Sequence, residues 1–359
     1  MRYPMTRSGL AAVLWLAAAT IGLAPPASAQ GALTYRLVRS VALGAPERWD
    51  YAVYEPVAHR VFVAHGNRLT VIDGRSGRIV GQVGPIPGGP HGIAFDEKAG
   101  VGISDDGDRG QAVLFSLKSL RVLARLKIQR GADAVTFDPA SGHAFVIDGD
   151  TGTVAVVDPV RRTVVTMIHL GGDLEYAVPD GRGALYVNGV THHEIFRINT
   201  ATNRRTAAWP MPTCRGPHGL AIDTATHRLF ASCSNGRLVV VNAEDGAVVA
   251  TLPIGRGTDA DRFDARRRLI FSSNGLDGTL SVIREVNANM FEPLATVKTA
   301  LSGRTMALDR RSGRVFIVAA HTTLQALQAF FAAWHAGKRP SGSPFTPGSL
   351  RLLFLDPVR

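Results

Sequence analysis

The chain alternates between short apolar runs and small polar turns, and this arrangement recurs seven times from Arg48 to Arg359. Each unit of about forty-two residues contains an apolar run that closes on an acid, then a small turn and further apolar runs. The closing acids are Glu55, Asp96, Asp138, Asp180, Asp223, Asp264 and Asp309. Several short strands in a repeat of this length are typical of a β-propeller with one four-stranded blade per repeat. We therefore predict an all-β, seven-bladed propeller.

The seventh repeat supplies only three strands, whereas residues 35–43, ahead of the first repeat, have strand character. We predict that this N-terminal strand completes the last blade, because closing the ring removes a free sheet edge. Residues 30–359 then form the propeller.

An insert at residues 322–348 interrupts the last blade between its second and third strands. Its first half has Leu324, Leu327, Phe331 and Trp334 at helical spacing, and its second half is rich in proline and glycine. The connection lies on the same rim as the turns that lead into the first strands. The predicted helix is either a lid over the channel mouth or a helix docked on the rim to cover its aromatic residues.

Residues 1–29 have the pattern of a secretory signal peptide. Arg2 and Arg7 form a positive region, residues 10–23 are apolar, and Ala27-Ser28-Ala29 is a small-residue cleavage site. The apolar stretch is short for a membrane span, and no later segment is long enough to be one. We expect a protein exported to a periplasm, monomeric and without a transmembrane anchor in its mature form.

The formal net charge of the chain is +11, but its arginines are spread over many turns. No basic helix and no aromatic stacking motif accompanies them, which favours a solvated basic surface over a specific nucleic-acid site. The two cysteines, Cys214 and Cys233, fall at one rim of the fifth repeat. Export favours their oxidation, so we predict a structural disulfide.

Seven ionisable residues occupy one equivalent position, five residues ahead of each closing acid. They are Asp50, His91, Asp133, Glu175, His218, Asp259 and Arg304. Equivalent positions in a closed ring converge on its axis, so we predict that these side chains form a ligand-binding site at the channel mouth.

Histidine and carboxylate side chains together suit a divalent metal ion, for which His91, His218, Asp133 and Glu175 are the candidate ligands. Arg304 suits a carboxylate or phosphate group of an organic ligand. The alternative is a water-filled channel lined by mutually paired charges. His91 and His218 are three blades apart, so we expect them to face each other across the axis.

The repeat also resembles the YVTN-repeat seven-bladed propellers, including YncE-like periplasmic proteins. The resemblance rests on Tyr186-Val187-Asn188, on the related Phe62-Val63-Ala64 and Phe145-Val146-Ile147, on Phe271-Ser272-Ser273-Asn274, and on Leu69-Thr70-Val71-Ile72-Asp73 with the turn that follows it. It covers nearly the whole mature chain. It implies the fold and no particular activity, because members of that family lack one shared catalytic set.

From these patterns we predict a module that binds a small ligand or a periplasmic protein. The alternatives that use the same rim are a metal-assisted hydrolase or lactonase and a redox accessory protein. The sequence has no Cys-x-x-Cys-His, Gly-x-Ser-x-Gly or His-Glu-x-x-His motif. Covalent haem, serine-hydrolase and zincin chemistry therefore have no local support.

Overall fold

A computed structural model describes residues 33–335 and 342–358, apart from the side chains of Trp334 and His335. The described chain forms seven four-stranded antiparallel sheets, which are the blades of a β-propeller. The predicted fold class is thus confirmed. The signal peptide predicted for residues 1–29, the side chain of Trp334 and the middle of the insert lie outside the described residues.

Six blades are continuous in sequence, and each is ordered from its inner to its outer strand. Blade one contains β2 (Trp49–Glu55), β3 (Arg60–His65), β4 (Arg68–Asp73) and β5 (Ile79–Val83). Blade two contains β6 (Ile93–Asp96), β7 (Val101–Asp106), β8 (Gln111–Ser116) and β9 (Val122–Lys127). Blade three contains β10 (Ala132–Asp138), β11 (His143–Asp148), β12 (Thr153–Asp158) and β13 (Thr163–His169). Blade four contains β14 (Leu174–Pro179), β15 (Ala184–Gly189), β16 (Glu194–Asn199) and β17 (Arg204–Pro210). Blade five contains β18 (Pro217–Asp223), β19 (Arg228–Cys233), β20 (Arg237–Asn242) and β21 (Val248–Pro253). Blade six contains β22 (Thr258–Asp264), β23 (Leu269–Asn274), β24 (Thr279–Asn287) and β25 (Met290–Lys298).

Blade seven joins the two ends of the chain. Its strands are β26 (Thr305–Asp309), β27 (Arg314–Ala319) and β28 (Arg351–Val358), and β1 (Thr34–Ala42) pairs with β28 as the outer strand. The predicted closure by an N-terminal strand is confirmed. The two ends of the described chain are therefore hydrogen-bonded within one blade, which ties the last blade to the start of the propeller.

The inner strand of every blade runs in the same direction, which defines two rims. We call the rim where the inner strands begin the upper rim, and the rim where they end the lower rim. An aromatic side chain occupies one register position in the second strand of six blades, where it is buried. These residues are Phe62, Phe145, Tyr186, Phe230, Phe271 and Phe316. This repeated core position explains the Phe/Tyr-led triplets of the sequence.

The acids that close the first run of each repeat are hairpin caps on the lower rim. Glu55 accepts hydrogen bonds from the backbone N–H groups of Val57 and Ala58 at 2.8 and 3.0 Å. Asp264 accepts them from Arg266 and Arg267 at 3.0 and 3.1 Å. Each acid therefore satisfies backbone donors that the turn leaves unpaired, and its recurrence is structural.

The upper rim carries the disulfide and the insert. Cys214 and Cys233 are joined, as predicted. The insert contains the helix α1 (Leu324–His335), whose Leu327 is almost fully buried. In the described residues, no helix has the length and apolar character needed to cross a membrane.

A shared proton on the lower rim gives a testable prediction about stability. The single hydroxyl of Thr226 lies 2.7 Å from Glu285 Oε1 and 2.8 Å from Asp223 Oδ2, while Arg268 is 3.7 Å from the other oxygen of Glu285. One hydroxyl proton cannot serve two carboxylates, so both contacts are hydrogen bonds only when one acid is protonated. Burial and the nearby Asp223 raise the pKa of Glu285 from 4.5 to about 7.

Because the folded-state pKa of Glu285 is raised, its contribution to stability is complete below about pH 4.5 and is lost as the pH rises through about 7. We expect Glu285→Gln to flatten this loss and to stabilise the protein at pH 8 by about 1–2 kcal/mol, discounted for solvent screening. Urea unfolding at several pH values measures the free energy of unfolding of both proteins. The exposed Glu292→Gln in the neighbouring strand is the control, and equal profiles for both variants would contradict the shared proton.

Candidate functional site

The seven predicted residues lie together at the upper mouth of the channel. Five of them are the second residue of an inner strand, and His91 and Arg304 come just before β6 and β26. In those five strands the pairing register shifts at the site residue, which marks a β-bulge. A bulge bends the strand and turns a side chain out of the pleat, so this local irregularity aims each side chain at the axis.

Six of the seven residues form two groups of metal-ligand type. Asp50, His91 and Asp133 form the first triad, and Glu175, His218 and Asp259 form the second triad. Within each triad the potential ligand atoms lie within 4.8 Å of one another. Each triad offers two carboxylates and one imidazole, and the two histidines belong to different triads. The structure thus divides the predicted metal ligands into two sets.

A buried carboxylate on the second strand holds His91 of the first triad. Asp105 Oδ2 lies 2.8 Å from His91 Nδ1, and Asp105 Oδ1 accepts the backbone N–H groups of His91 and Gly92 at 3.1 and 2.7 Å. The ring packs so closely on Gly107 that a Cβ there would lie 2.7 Å from its Cε1. Since Nδ1 is engaged by Asp105, Nε2 is the nitrogen left for a ligand, as is usual at metal sites.

The second triad is tied to blade one by a tyrosine. Tyr51 donates its hydroxyl proton to Glu175 Oε1 at 2.9 Å, across the channel from its own blade. His218 Nδ1 lies between two acids, 3.4 Å from Glu175 and 3.6 Å from Asp259. Asn188 supports the bulge by donating to the carbonyl oxygen of His218 at 2.8 Å. Residues of four blades therefore fix this triad.

Arg304 links the two triads. Its Nε lies 2.5 Å from Asp259 of the second triad, and its Nη2 lies 3.9 Å from Asp50 of the first. The guanidinium also stacks over the ring of Trp49, 5.8 Å from its centroid. These two carboxylates raise the pKa of Arg304 although burial acts to lower it, so the group stays charged.

Two tyrosines from opposite sides of the channel meet next to the triads. The rings of Tyr51 and Tyr176 lie 5.0 Å apart, and the guanidinium of Arg262 lies 5.1 Å from the centroid of Tyr176. These residues come from blades one, four and six, and Arg262 also reaches the carbonyl oxygen of Ala52 in blade one. The site is therefore a cup that opens at the upper rim, with an aromatic floor.

The carboxylates of the cup repel one another. Burial raises the pKa of Asp50 to about 7, although Arg304 attracts its charge. Burial, together with the charges of Glu175 and Asp50, raises the pKa of Asp133 well above its usual range. The pKa of Asp259 is also raised by burial, against the attraction of Arg304. The charged forms of these acids therefore lack sufficient positive charge nearby.

The excess of carboxylates raises the pKa of both histidines. Burial acts to lower the pKa of His91, but Asp105 outweighs it and the pKa reaches about 10. Glu175 likewise raises the pKa of His218 to about 9 against burial. Burial acts to raise the pKa of Glu175, yet the hydrogen bonds from His218 and Tyr51 hold it below its usual value.

The insert packs on the rim beside Arg304. Leu327, Phe331 and Phe345 border a crevice of about 10 Å³ that Arg304 also lines, and Phe345 contacts Trp49 at 4.8 Å between ring centroids. In the described part of the insert, the helix therefore docks at the edge of the cup. The structure records this docked arrangement, whereas closure over the mouth stays a prediction.

Sequence spacing identified every member of the two triads and Arg304, but it missed Tyr51, Asp105 and Arg262. A signal for the floor was present, because an aromatic residue follows the site acid in both Asp50-Tyr51 and Glu175-Tyr176. Asp105 had no comparable signal, since its role depends on which residue of β7 lies opposite His91.

Fold and site together define a seven-bladed propeller with an acidic cup at its upper mouth. No protein-family model matches the chain, and no curated protein matches it either. Solved chains that resemble it number 1791, so the likeness is too widespread to indicate an activity. One of them is the structure titled Kuenenia stuttgartiensis Hydrazine Synthase, with 13% sequence identity and a TM-score of 0.64 over 74% of this chain and 91% of that chain. A likeness at this identity shows the fold alone.

Proposed function

We propose that this protein is an exported ligand-binding propeller whose cup takes a divalent cation. Asp50, His91 and Asp133, or Glu175, His218 and Asp259, supply the ligands. Imidazole with carboxylate suits Mn²⁺, Fe²⁺ or Zn²⁺, and carboxylate oxygens also suit Ca²⁺.

The imbalance of charge in the cup carries this proposal. Five carboxylates, those of the two triads and Asp105, face at most three cationic groups, Arg304 and the two imidazoles. Asp133 is partly buried, and the other seven side chains are at most 27% exposed, so solvent compensates little of the excess. Keeping several buried acids together costs free energy that a bound cation would offset.

The arrangement around His91 supports the same conclusion. Asp105 orients the ring through Nδ1 and leaves Nε2 free to ligate a cation, which is the usual support of a metal-ligating histidine. A channel lined only by mutually paired charges would not need a fully buried carboxylate behind the histidine.

The proposal also includes export to the periplasm and a relationship to YVTN-repeat propellers. The signal-like pattern of residues 1–29 and the disulfide between Cys214 and Cys233 support a periplasmic location, because disulfides persist in oxidising compartments. The Phe/Tyr-led triplets support a relationship to YVTN-repeat propellers. In this setting the cup serves to capture a ligand, and a partner protein is the alternative occupant of the rim.

The test is cation binding by the mature protein. After treatment with EDTA, the protein is dialysed separately against Mn²⁺, Zn²⁺ and Ca²⁺, and the retained metal is measured by elemental analysis beside the melting temperature. We expect one or two ions per chain and a melting temperature that rises with free cation concentration. Glu244→Gln, which removes an exposed acid far from the cup, is the control and should bind equally.

Two outcomes would contradict the proposal. Retention of no cation, with an unchanged melting temperature, would leave an interaction module as the better reading. Equal loss of binding in Glu244→Gln and in a cup variant would assign the cations to the general surface.

A further inference from the structure

The lower rim carries a second cavity, on the opposite side of the aromatic floor. Its volume is about 380 Å³, within the range of small-molecule sites. Turns of blades one, six and seven form it. The lining residues are His59, Gly74, Arg75, Arg266, Asp309, Arg311, Ser312 and Arg314. We call this cavity the basic pocket.

The positive charge of the basic pocket is not neutralised within the described part of the chain. Arg314 forms a bidentate pair with Asp356, at 2.5 and 2.7 Å. By contrast, the guanidinium groups of Arg266 and Arg311 have no carboxylate partner among the described residues. Among the described residues, the guanidinium of Arg75 has one hydrogen-bond partner, Nε2 of His59 at 2.7 Å.

The one acid in the lining is occupied by its own turn. Asp309 Oδ1 accepts the backbone N–H of Arg311 at 3.0 Å, and Asp309 Oδ2 accepts the hydroxyl of Ser312 at 2.6 Å. Asp309 forms no ion pair with an arginine of the pocket. Its carboxylate shapes the hairpin and forms no ion pair with Arg266 or Arg311, so the donors of these two guanidinium groups stay available.

Arg310, next to the basic pocket in sequence, adds to the excess of positive charge. Arg310 belongs to the same turn as Asp309 and Arg311, and partial loss of solvent together with the charge of Arg262 lowers its pKa. Positive groups are thus crowded at the lower mouth, as carboxylates are crowded at the upper one. An anion would relieve this repulsion.

We propose that the basic pocket is a second binding site and takes a small oxyanion ligand with a phosphate or diphosphate group. Guanidinium groups match phosphate oxygens in planar, bidentate pairs. A small ligand fits better than a nucleic acid, because the charges surround a concavity and no Phe, Tyr or Trp side chain lines it for base stacking. The site is separate from the cup and does not depend on the cation.

Inorganic pyrophosphate is the probe, titrated into the mature protein by calorimetry at about 0.15 M salt, where diffuse surface attraction is largely screened. The test variant is Arg266→Gln with Arg311→Gln. The control is Arg182→Gln with Arg204→Gln, which removes equal charge from exposed arginines on the lower rim of blade four. We expect saturable binding that weakens about 100-fold in the test variant and by less than about twofold in the control.

Three results would overturn the assignment. One is no binding of pyrophosphate by the unaltered protein. Another is an equal loss in both double variants, which would show diffuse attraction by the whole rim. The third is tight binding of a 20-nucleotide single strand with no binding of pyrophosphate, which would indicate an extended polyanion surface. Cation binding in the cup should be unchanged in both double variants, so failure of either site is recognised separately.

Discussion

Replacing Asp133 by asparagine is expected to weaken cation binding on the order of 100-fold and, at the same time, to stabilise the cation-free protein. The first effect follows because Asp133 is a proposed ligand in the first triad, and loss even of a supporting partner behind a ligand costs about 10–100-fold in metal affinity. The second effect follows because Asp133 is buried among Glu175, Asp50 and Asp259, and only His91 attracts its charge.

Relief of that repulsion should raise the free energy of unfolding of EDTA-treated protein by about 1–2 kcal/mol at pH 8. Urea unfolding without cation measures the stability, and equilibrium dialysis measures the affinity. The two opposite changes distinguish a binding site from a structural charge network. A structural network would lose stability when one of its members is removed.

Asp105→Asn provides the matched comparison, because Asp105 supports the same triad without belonging to it. It should weaken cation binding but not stabilise the cation-free protein, since its carboxylate accepts two backbone N–H groups and contacts His91. An Asp133→Asn protein that is less stable than the parent and binds cations normally would contradict the assignment of the cup.

The fold was predictable because the repeat carries it redundantly. Seven copies carry the same strand pattern, and the hairpin acid and the second-strand aromatic recur at fixed positions. In blade two, Ile103 occupies the position that is aromatic in the other six blades, and the repeat is still recognisable. The strand that closes the ring was predictable for a related reason. The last repeat supplies three strands, and an additional strand precedes the first repeat. Pairing that N-terminal strand with the last repeat gives blade seven its fourth strand.

The site was predictable only as far as rotational symmetry determines it. Equivalent positions converge on the axis, which identified the seven residues at the mouth. Which of them touch depends on bulges and side-chain rotamers, so the separation of His91 from His218 into different triads needed the structure. The same limit applies to the basic pocket, where Arg75, Arg266 and Arg311 come from three blades and look like ordinary turn residues in the sequence.

Charge is therefore separated along the axis of this propeller. The upper cup is rich in carboxylates, the lower mouth is rich in guanidinium groups, and the layer of Tyr51 and Tyr176 lies between them. We expect this separation to make the two ends selective for ions of opposite sign. Among the described residues, Arg304 is the arginine that contacts carboxylates of both triads, which distinguishes it from the lower-rim arginines.

Replacing Arg304 by methionine should destabilise the cation-free protein by about 3–5 kcal/mol, because the carboxylates of Asp50 and Asp259 lose their shared partner while remaining buried. Methionine keeps much of the contact with Trp49, so the loss reports charge more than packing. A bound divalent cation would neutralise the same carboxylates. Saturating cation should therefore restore much of the lost stability, measured by urea unfolding with and without the metal.

Arg314→Met is the control for this rescue. Arg314 is as exposed as Arg304, 23% against 24%, and it also pairs with a carboxylate, that of Asp356 on the lower rim. Its replacement should destabilise the protein as well, but cation should not restore stability, because no ligand triad adjoins Asp356 among the described residues. Rescue confined to Arg304→Met would mean that the cation and the guanidinium compensate the same charges. If cation restored the stability of both variants equally, or of neither, the cation and Arg304 would not compensate the same carboxylates.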